Sequence, residues 1–213
     1  MTTDLVEIDQ YQPAPNAIER AAEAIRRGMV IAIPTDALYA LVADPFSLRA
    51  LGQVFLAKGR EPHRSLPLLI SDVLMAEDLA KELPGRFFVL ARRFWPGPLT
   101  IIVAASARVP LKVTGNTGRL ALRQPRAAVA SALLEKLGQP LIATSANISG
   151  QPTCRTGIEV FGMMDGRVDL VLDGGPCSGP GNTTIDMTER DWRLIREGAV
   201  SEKDIRDCLE AGP

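Results

Sequence analysis

The sequence predicts a mixed α/β fold: an open, twisted and partly antiparallel sheet with helices on its flanks. Two observations favour this class. Short apolar runs of strand length alternate with segments of helical periodicity along most of the chain, and three strand-like runs follow one another closely near its end. Proline and glycine are spread between these segments instead of being pooled in a linker, so we expect residues 1–213 to form a single domain.

The first half of the chain alternates helix and strand patterns. Asn16 is expected to open a helix with a capping box, and Gly28 is expected to end it. Ser47 is expected to cap a second helix, which runs to Lys58 and stops before Gly59. The predicted strands of this half are MVIAIP, LPLLIS and PLTIIVAA, and further helices are predicted over about residues 72–83 and 85–94.

The second half has a helix between two strands and then a run of strands. RLALRQ and PLIATSA are the two strands, and the helix RAAVASALLEKLG between them is closed by Gly138. After a short helix near GIEVF, strands are predicted at DLVLDG, TTIDM and WRLIRE. Ser201 is expected to cap the last helix.

Composition and motifs exclude several classes of protein. The apolar runs are far shorter than the roughly 20 residues that span a bilayer, and the acidic start MTTDLVEIDQ has no apolar signal core, so we expect a cytoplasmic protein without membrane contact. Three widely spaced cysteines without a C-x-x-C pair indicate no disulfide framework and no protein-held metal. The sequence lacks a P-loop and a G-x-G-x-x-G turn, and its single histidine argues against a serine triad.

The charge of the chain is unevenly distributed. Net charge is -1, yet between Glu82 and Glu159 the only acid is Glu135, among many arginines and lysines. A near-neutral protein with a basic middle favours a local anion pocket over a broad polyanion-binding face. Cations that simply solvate helices are the alternative interpretation.

A cationic cluster precedes one of the predicted strands. KGREPHRSLPLL, residues 58–69, carries Lys58, Arg60 and Arg64 and then becomes apolar. We interpret it as a polyphosphate site, and the alternative is a set of cations that stabilise a helix C-terminus. Hydroxyl groups and cations also occur at other strand ends, in IPTDALYAL, LALRQP, LIATSANISG, GPGNTTIDM and RLIREG, where ligands of open α/β sheets collect.

Six of these motifs together resemble one family. IPTDALYAL, KGREPHRSLPLL, FWPGPLTII, LALRQP, ATSANISG and RLIREG follow one another over about residues 15–200, in the order and at the spacing of the YrdC-type threonylcarbamoyl-AMP synthases. The resemblance implies a YrdC-like fold around a basic cavity. It also implies a reaction that joins L-threonine, bicarbonate and ATP into threonylcarbamoyl-AMP and releases pyrophosphate. Longer members carry an additional C-terminal domain, and we expect a short form without it.

The resemblance also implies a cofactor and partners. Mg²⁺ is expected to enter with ATP, coordinated mainly by phosphates and water. Proteins that transfer the threonylcarbamoyl group to tRNA are the expected downstream partners, with at most a weak direct contact to tRNA.

Site residues follow from the same resemblance. The K-x-R residues Lys58 and Arg60 are expected to be catalytic because the reaction requires positioning and stabilisation of charge on departing pyrophosphate. The expected ATP-binding residues are Lys58, Arg60, Arg64, Ser145, Asn147, Thr153 and Arg196. The expected threonine-binding residues are Thr35, Tyr39, Arg123, Ala143 and Asn182.

Several of these positions have structural alternatives. Arg123 could form a buried ion pair with Asp36 or Asp173 in place of binding a substrate carboxylate. Tyr39 could be a core residue whose hydroxyl is satisfied internally. The segment that contains Ser145 and Asn147 could be a simple Asx turn.

The sequence also departs from the family pattern at positions that bear on substrate. Ala37 replaces a threonine, Ala40 a glycine, Glu61 a proline and Asn182 a serine. Glu61 places a carboxylate beside the expected phosphate site, which would weaken binding unless it turns outward or meets Arg64. Three other functions therefore stay open: an RNA-binding module without catalysis, a nucleotide-binding regulator without turnover, and a relative that forms a carbamoyl adenylate from a different acyl substrate.

Overall fold

The computed structural model describes residues 2–61 and 63–212 and confirms the mixed α/β fold. The strands are β1 (Asp4–Glu7), β2 (Ile31–Ile33), β3 (Ala40–Ala43), β4 (Leu68–Leu69), β5 (Leu99–Ala104), β6 (Arg119–Arg123), β7 (Leu141–Ser145), β8 (Leu170–Asp173), β9 (Thr183–Asp186) and β10 (Arg193–Arg196). The helices are α1 (Pro15–Arg26), α2 (Leu48–Lys58), α3 (Val73–Leu79), α4 (Gly85–Phe94), α5 (Leu111–Thr114), α6 (Ala128–Leu137), α7 (Gly157–Met164) and α8 (Glu202–Glu210).

The strands form one mixed sheet in the order β1, β8, β2, β3, β7, β4, β6, β5, β9, β10. β1, β8 and β2 are parallel, whereas β3 is antiparallel to both β2 and β7, and β4 is antiparallel to β7. The carboxyl ends of β2, β7 and β8 therefore share one edge of the sheet with the amino ends of β3 and β4. The loops that follow or precede these ends carry most of the predicted site.

Helices cover the sheet on two sides. On one side α1 and α6 pack on a cluster that includes Ile31, Ile33, Leu133 and Leu141. On the other side α2, α4, α7 and α8 contribute to a larger cluster. The strands are buried on both faces in this region, which explains why they read as continuous apolar runs and not as alternating ones.

Most of the predicted helix caps are confirmed. The Ser47 side chain accepts a hydrogen bond from Ala50 N at 3.2 Å, Ser201 forms a capping box with Asp204, and Gly138 closes α6 with a φ of 63°. The capping box at Asn16 is wrong: α1 begins at Pro15 with Ala14 as its N-cap. The proline ring fixes φ at a helical value and lacks the N–H that a cap would satisfy, so the helix begins two residues earlier than a cap at Asn16 would place it.

Three elements of the structure, β1, β3 and α5, were not predicted from the sequence, and α3 is shorter than predicted. β1 is an edge strand with mostly exposed residues, β3 is built largely of small residues, and α5 is a single turn. The helix expected over about residues 72–83 ends at Leu79 because Ala80 pairs with Ala105 and continues as extended chain. Across the two described ranges, no helix combines the length and the hydropathy needed to cross a bilayer.

Candidate functional site

Lys58 lies at the shared edge of the sheet, where the end of α2 meets the end of β7. Its side chain is buried, and Nζ donates to the carbonyl oxygens of Ser145 at 2.5 Å and Asn147 at 3.0 Å. The Ser145 Oγ and the Asn147 Oδ1 lie 3.4 and 3.3 Å from the same nitrogen. Burial, with a smaller contribution from Arg60, lowers the pKa of Lys58 from its ordinary 10.5 to about 8.

Arg60 and Arg64 follow in the loop that leads to β4. The Arg60 side chain is half-buried, and its Nη2 makes a long hydrogen bond of 3.4 Å to Ser65 O. Burial and the neighbouring Arg64 charge lower the pKa of Arg60. Arg64 is exposed, and its side chain makes no hydrogen bond or ion pair within residues 2–61 and 63–212. These two guanidinium groups are therefore available to an anionic ligand.

Glu61 turns outward, which is the arrangement that the phosphate interpretation requires. Its side chain is 78% exposed, and Oε2 lies 3.3 Å from Nδ1 of His63. It does not meet Arg64, the partner that the sequence suggested. In water a carboxylate at this exposure is strongly screened, so its effect on a neighbouring phosphate is small.

The loop between β2 and β3 contains Thr35 and Tyr39. Thr35 is buried at the rim, and its Oγ1 donates to Leu38 O at 2.5 Å. Tyr39 is completely buried, and its hydroxyl donates to Gly175 O at 2.8 Å and to Asp173 Oδ1 at 3.2 Å. Burial raises the pKa of this hydroxyl. Tyr39 thus has the satisfied core environment of the structural alternative, and its contact with threonine stays a prediction.

Arg123 ends β6 and forms a buried ion pair with Asp36, one of the structural alternatives considered for it above. Its Nη2 donates to Asp36 Oδ2 at 2.5 Å and its Nε donates to Gly97 O at 2.9 Å. The backbone N–H of Arg126 adds a bond of 3.3 Å to the same carboxylate oxygen. Burial lowers the pKa of Arg123, although Asp36 opposes the effect. Sequence reasoning weighed Asp36 only as a competitor, although its place directly after Thr35 in the motif indicated that it lies in the site.

Strand register places several predicted residues on one face of the sheet. Paired residues point to the same side and the side alternates along a strand. Arg123 pairs with Leu69, and Leu69 pairs with Leu141, so Ala143 and Ser145 lie on the face of Arg123. The Cα atoms of Arg123 and Ser145 are then separated by two strand spacings and four residues, about 16 Å.

Arg196 and Asn182 lie further along the same face. Arg196 pairs with Thr184 on β9, and β5 separates β9 from β6, so Arg196 and Arg123 occupy one row across the sheet. Arg196 is exposed, and its Nε donates to Asn182 O at 3.1 Å. Of the five cations that the sequence assigned to the ligand, Arg123 and Arg196 thus share one face of the sheet, whereas Lys58, Arg60 and Arg64 lie on the segment from the end of α2 to the loop before β4.

The remaining predicted residue and the other cavities add less. Thr153 is half-buried, and its side chain makes no hydrogen bond within the two described ranges. A groove of about 830 Å³ lies between α4 and α8, and a smaller one of about 340 Å³ is bordered by α3. Neither groove is lined by a predicted site residue, so both grooves lie apart from the candidate site.

Comparison with known proteins identifies the family. The family model for Sua5, YciO and YrdC proteins, described as "Telomere recombination", matches residues 23–198. This chain belongs to that family, as its six motifs indicated. Two relatives named threonylcarbamoyl-AMP synthase, from Pyrococcus abyssi and Bacillus subtilis, are 38% and 33% identical over 90% and 94% of this chain. The chain spans only 57% and 59% of the length of these two relatives.

Solved structures agree with this assignment. P. abyssi Sua5 complexed with L-threonine has a TM-score of 0.92 at 34% identity, covering 97% of this chain and 61% of that one. E. coli YciO has a TM-score of 0.86 at 26% identity, covering 95% of this chain and 99% of that one.

Proposed function

We propose that this chain forms threonylcarbamoyl-AMP from L-threonine, bicarbonate and ATP, with release of pyrophosphate. The observation that carries the proposal is the shared face of Arg123, Ala143 and Ser145, which ends where Ser145 contacts Lys58, the residue that begins the segment with Arg60 and Arg64. This arrangement supports two adjoining subsites, one for a small carboxylate and one for a nucleotide. The names of the two relatives at 38% and 33% identity support the choice of product.

The nucleotide end would stabilise the leaving group. The threonine amine reacts with bicarbonate to give a carbamate and water, and a carbamate oxygen then attacks the α-phosphorus while the bond to pyrophosphate breaks. Negative charge accumulates on the departing pyrophosphate, and the guanidinium groups of Arg60 and Arg64 would stabilise it there. Ser145, Asn147, Thr153 and Arg196 would contact the rest of the nucleotide.

The amino-acid end would be built around Arg123. Its guanidinium is held by Gly97 O and Asp36, so its position is fixed before a ligand arrives. A guanidinium group held in this way suits a substrate carboxylate, because it can donate two parallel hydrogen bonds. Thr35, Ala143 and Asn182 would lie at the border of this subsite. The complex of P. abyssi Sua5 with L-threonine supports threonine as the substrate.

The metal would belong to the substrate. In residues 2–61 and 63–212 no cluster of three or more histidine, cysteine or acidic side chains could hold a metal ion. Two carboxylates beside predicted threonine-binding residues, Asp36 and Asp173, are engaged by Arg123 and by Tyr39. Mg²⁺ would therefore bind through the phosphates and water of ATP.

The structure gives RNA binding without catalysis little support. Several cations of the basic middle region are paired with acids from elsewhere in the chain: Arg108 with Asp78, Arg119 with Asp186 and Glu189, Arg123 with Asp36, and Lys136 with Glu19. These pairs leave a smaller net positive charge on the surface than the sequence suggested. Transfer proteins for tRNA remain the proposed users of the product.

The test is mass spectrometry of the product formed from Mg·ATP, bicarbonate and a mixture of amino acids. The proposal expects a threonine adduct of AMP and one pyrophosphate per adduct, with no release when bicarbonate or threonine is left out. A different adduct would identify another acyl substrate. ATP binding without any adduct would contradict catalysis and favour the regulatory alternative.

A further inference from the structure

The ammonium group of Lys58 has no donor left over for a ligand. An ammonium has three N–H donors and no acceptor. Four oxygens surround Nζ within 3.4 Å, and all of them belong to Ser145 and Asn147. A triphosphate oxygen could bind Nζ directly only if one of these internal bonds broke.

The backbone of Lys58 holds the same segment. Its carbonyl oxygen accepts a hydrogen bond of 2.9 Å from Ser149 N. Gly59, with a φ of 57°, ends α2 immediately afterwards, so Lys58 occupies the last helical position. One residue at the end of α2 therefore contacts Ser145, Asn147 and Ser149 together.

The turn after β7 depends on a cation at its centre. The carbonyl groups of Ser145 and Asn147 both point at Nζ, and Ser145 Oγ donates to Asn147 Oδ1 at 2.5 Å. The side-chain nitrogen Nδ2 of Asn147 donates to Ile148 O and Gln151 O, on the other side from Nζ. Without the ammonium, oxygens that point at one another would lose their shared donor, and the turn would have to rearrange.

We propose that Lys58 is a positioning residue that orients Ser145 and Asn147 for the nucleotide, and that Arg60 and Arg64 make the direct contacts with the triphosphate. This inference rests on the proposed function. Lys58 reaches the turn from α2, which packs on the opposite side of the sheet from the face of Arg123 and Ala143. The turn thus lies between the lysine and the ligand-bearing face.

The electrostatic environment of Lys58 fits this role. The charged or titratable groups that act on it are Arg60 on its own segment and Cys154 on the segment before α7. Burial raises the pKa of the Cys154 thiol. With a pKa of about 8, Lys58 is mostly protonated at neutral pH, and its three N–H groups are shared among the four oxygens around Nζ.

The test compares ATP with AMP, measured by calorimetry on the full chain. If Lys58 positions the turn, K58M lowers the affinity for ATP and the affinity for AMP by about the same factor, roughly tenfold. The matched variant R64A removes a cation of the triphosphate subsite. It should therefore lower the affinity for ATP by about tenfold and change the affinity for AMP by no more than about twofold. A K58M loss confined to ATP would overturn the inference while leaving the proposed function intact.

A second measurement uses the unsubstituted protein and needs no ligand. The backbone amide resonances of Asn147 and Ser149 should shift together with a midpoint near pH 8, as Lys58 loses its proton and the turn relaxes. Amides of Asn147 and Ser149 that keep their chemical shifts while Lys58 loses its proton would overturn the inference. If the protein bound neither nucleotide, the proposed function would fail, and the amide titration would still decide whether Lys58 holds the turn.

Discussion

Two buried cations of the site are held in opposite ways. Arg123 faces a carboxylate, Asp36, in a pair whose side chains are 6% and 17% exposed. Lys58 is surrounded only by uncharged oxygens. The charge at Arg123 is neutralised within the protein, whereas the charge at Lys58 is not, and the pKa of Lys58 is lowered to about 8 by its burial.

This difference gives the two cations different roles: Arg123 provides directional hydrogen-bond donors, and Lys58 provides net positive charge. A neutralised guanidinium attracts a distant anion weakly, so Arg123 contributes directional donors at a fixed place. The uncompensated Lys58, together with Arg60 and Arg64, leaves net positive charge at the other end of the site. A polyanion would thus be drawn to the β7 end and a small carboxylate recognised at the Arg123 end. The predictions below test each half of this contrast.

Breaking the Arg123 pair should have the largest effect. R123A would leave Asp36 buried without its cation and should lower the free energy of unfolding by about 3–5 kcal/mol. Denaturant titration at pH 7 measures it. The double variant R123M/D36L should recover most of the loss, since an apolar pair of similar volume avoids the uncompensated charge. A loss below about 1 kcal/mol in R123A would mean that the pair is not a buried one.

The Lys58 charge should make stability depend on pH. The folded pKa is about 8 and the ordinary value is 10.5, so between these values the unfolded chain binds more protons than the folded one. Stability contributed at this site should therefore rise with pH across that window, by up to about 3 kcal/mol. The stability difference between the natural chain and K58M, measured at pH 7 and pH 10, isolates the effect. A difference that falls with pH would contradict the assigned environment.

The sequence predicted the class of site better than the hydrogen bonds and ion pairs within it. Six motifs in order placed cations and hydroxyl groups at the ends of predicted elements, and strand register puts Arg123, Ala143 and Ser145 on one face of the sheet. The motifs could not show that the N–H groups of Lys58 would all bind to Ser145 and Asn147, which lie 87 and 89 positions away in the chain. Nor could it decide between ligand and Asp36 for Arg123. Such choices depend on which acceptors tertiary packing brings within 3.5 Å, and local patterns carry no information about that.

The same limit explains the errors in the fold. β1 lies at the edge of the sheet and pairs with β8, more than 160 residues away along the chain, so its exposed residues show no strand pattern. α1 began at Pro15 and not at a capping Asn16 because two valid start signals competed, and the proline already satisfied the requirement of the first turn.

Removing a direct phosphate contact should cost less than breaking a buried pair. R60A should weaken ATP binding by about 10- to 100-fold, the range for a charge-assisted hydrogen bond, with pyrophosphate release reduced in parallel. R108A is the matched control, because Arg108 is 72% exposed and pairs only with Asp78 among the described residues. Calorimetry with Mg·ATP measures both variants. Equal losses in the two would indicate a general effect of charge on the surface.

Glu61 should have the smallest effect, and its sign tests whether the triphosphate lies where Arg60 and Arg64 indicate. Its carboxylate is 78% exposed and lies beside His63, so it repels a bound polyphosphate only through solvent. E61Q should raise the affinity for ATP by no more than about threefold at low salt, and this gain in affinity should disappear at high ionic strength. AMP should be unaffected. If E61Q weakened ATP instead, the carboxylate would be making a favourable contact, and the triphosphate would have to lie elsewhere along the edge of the sheet.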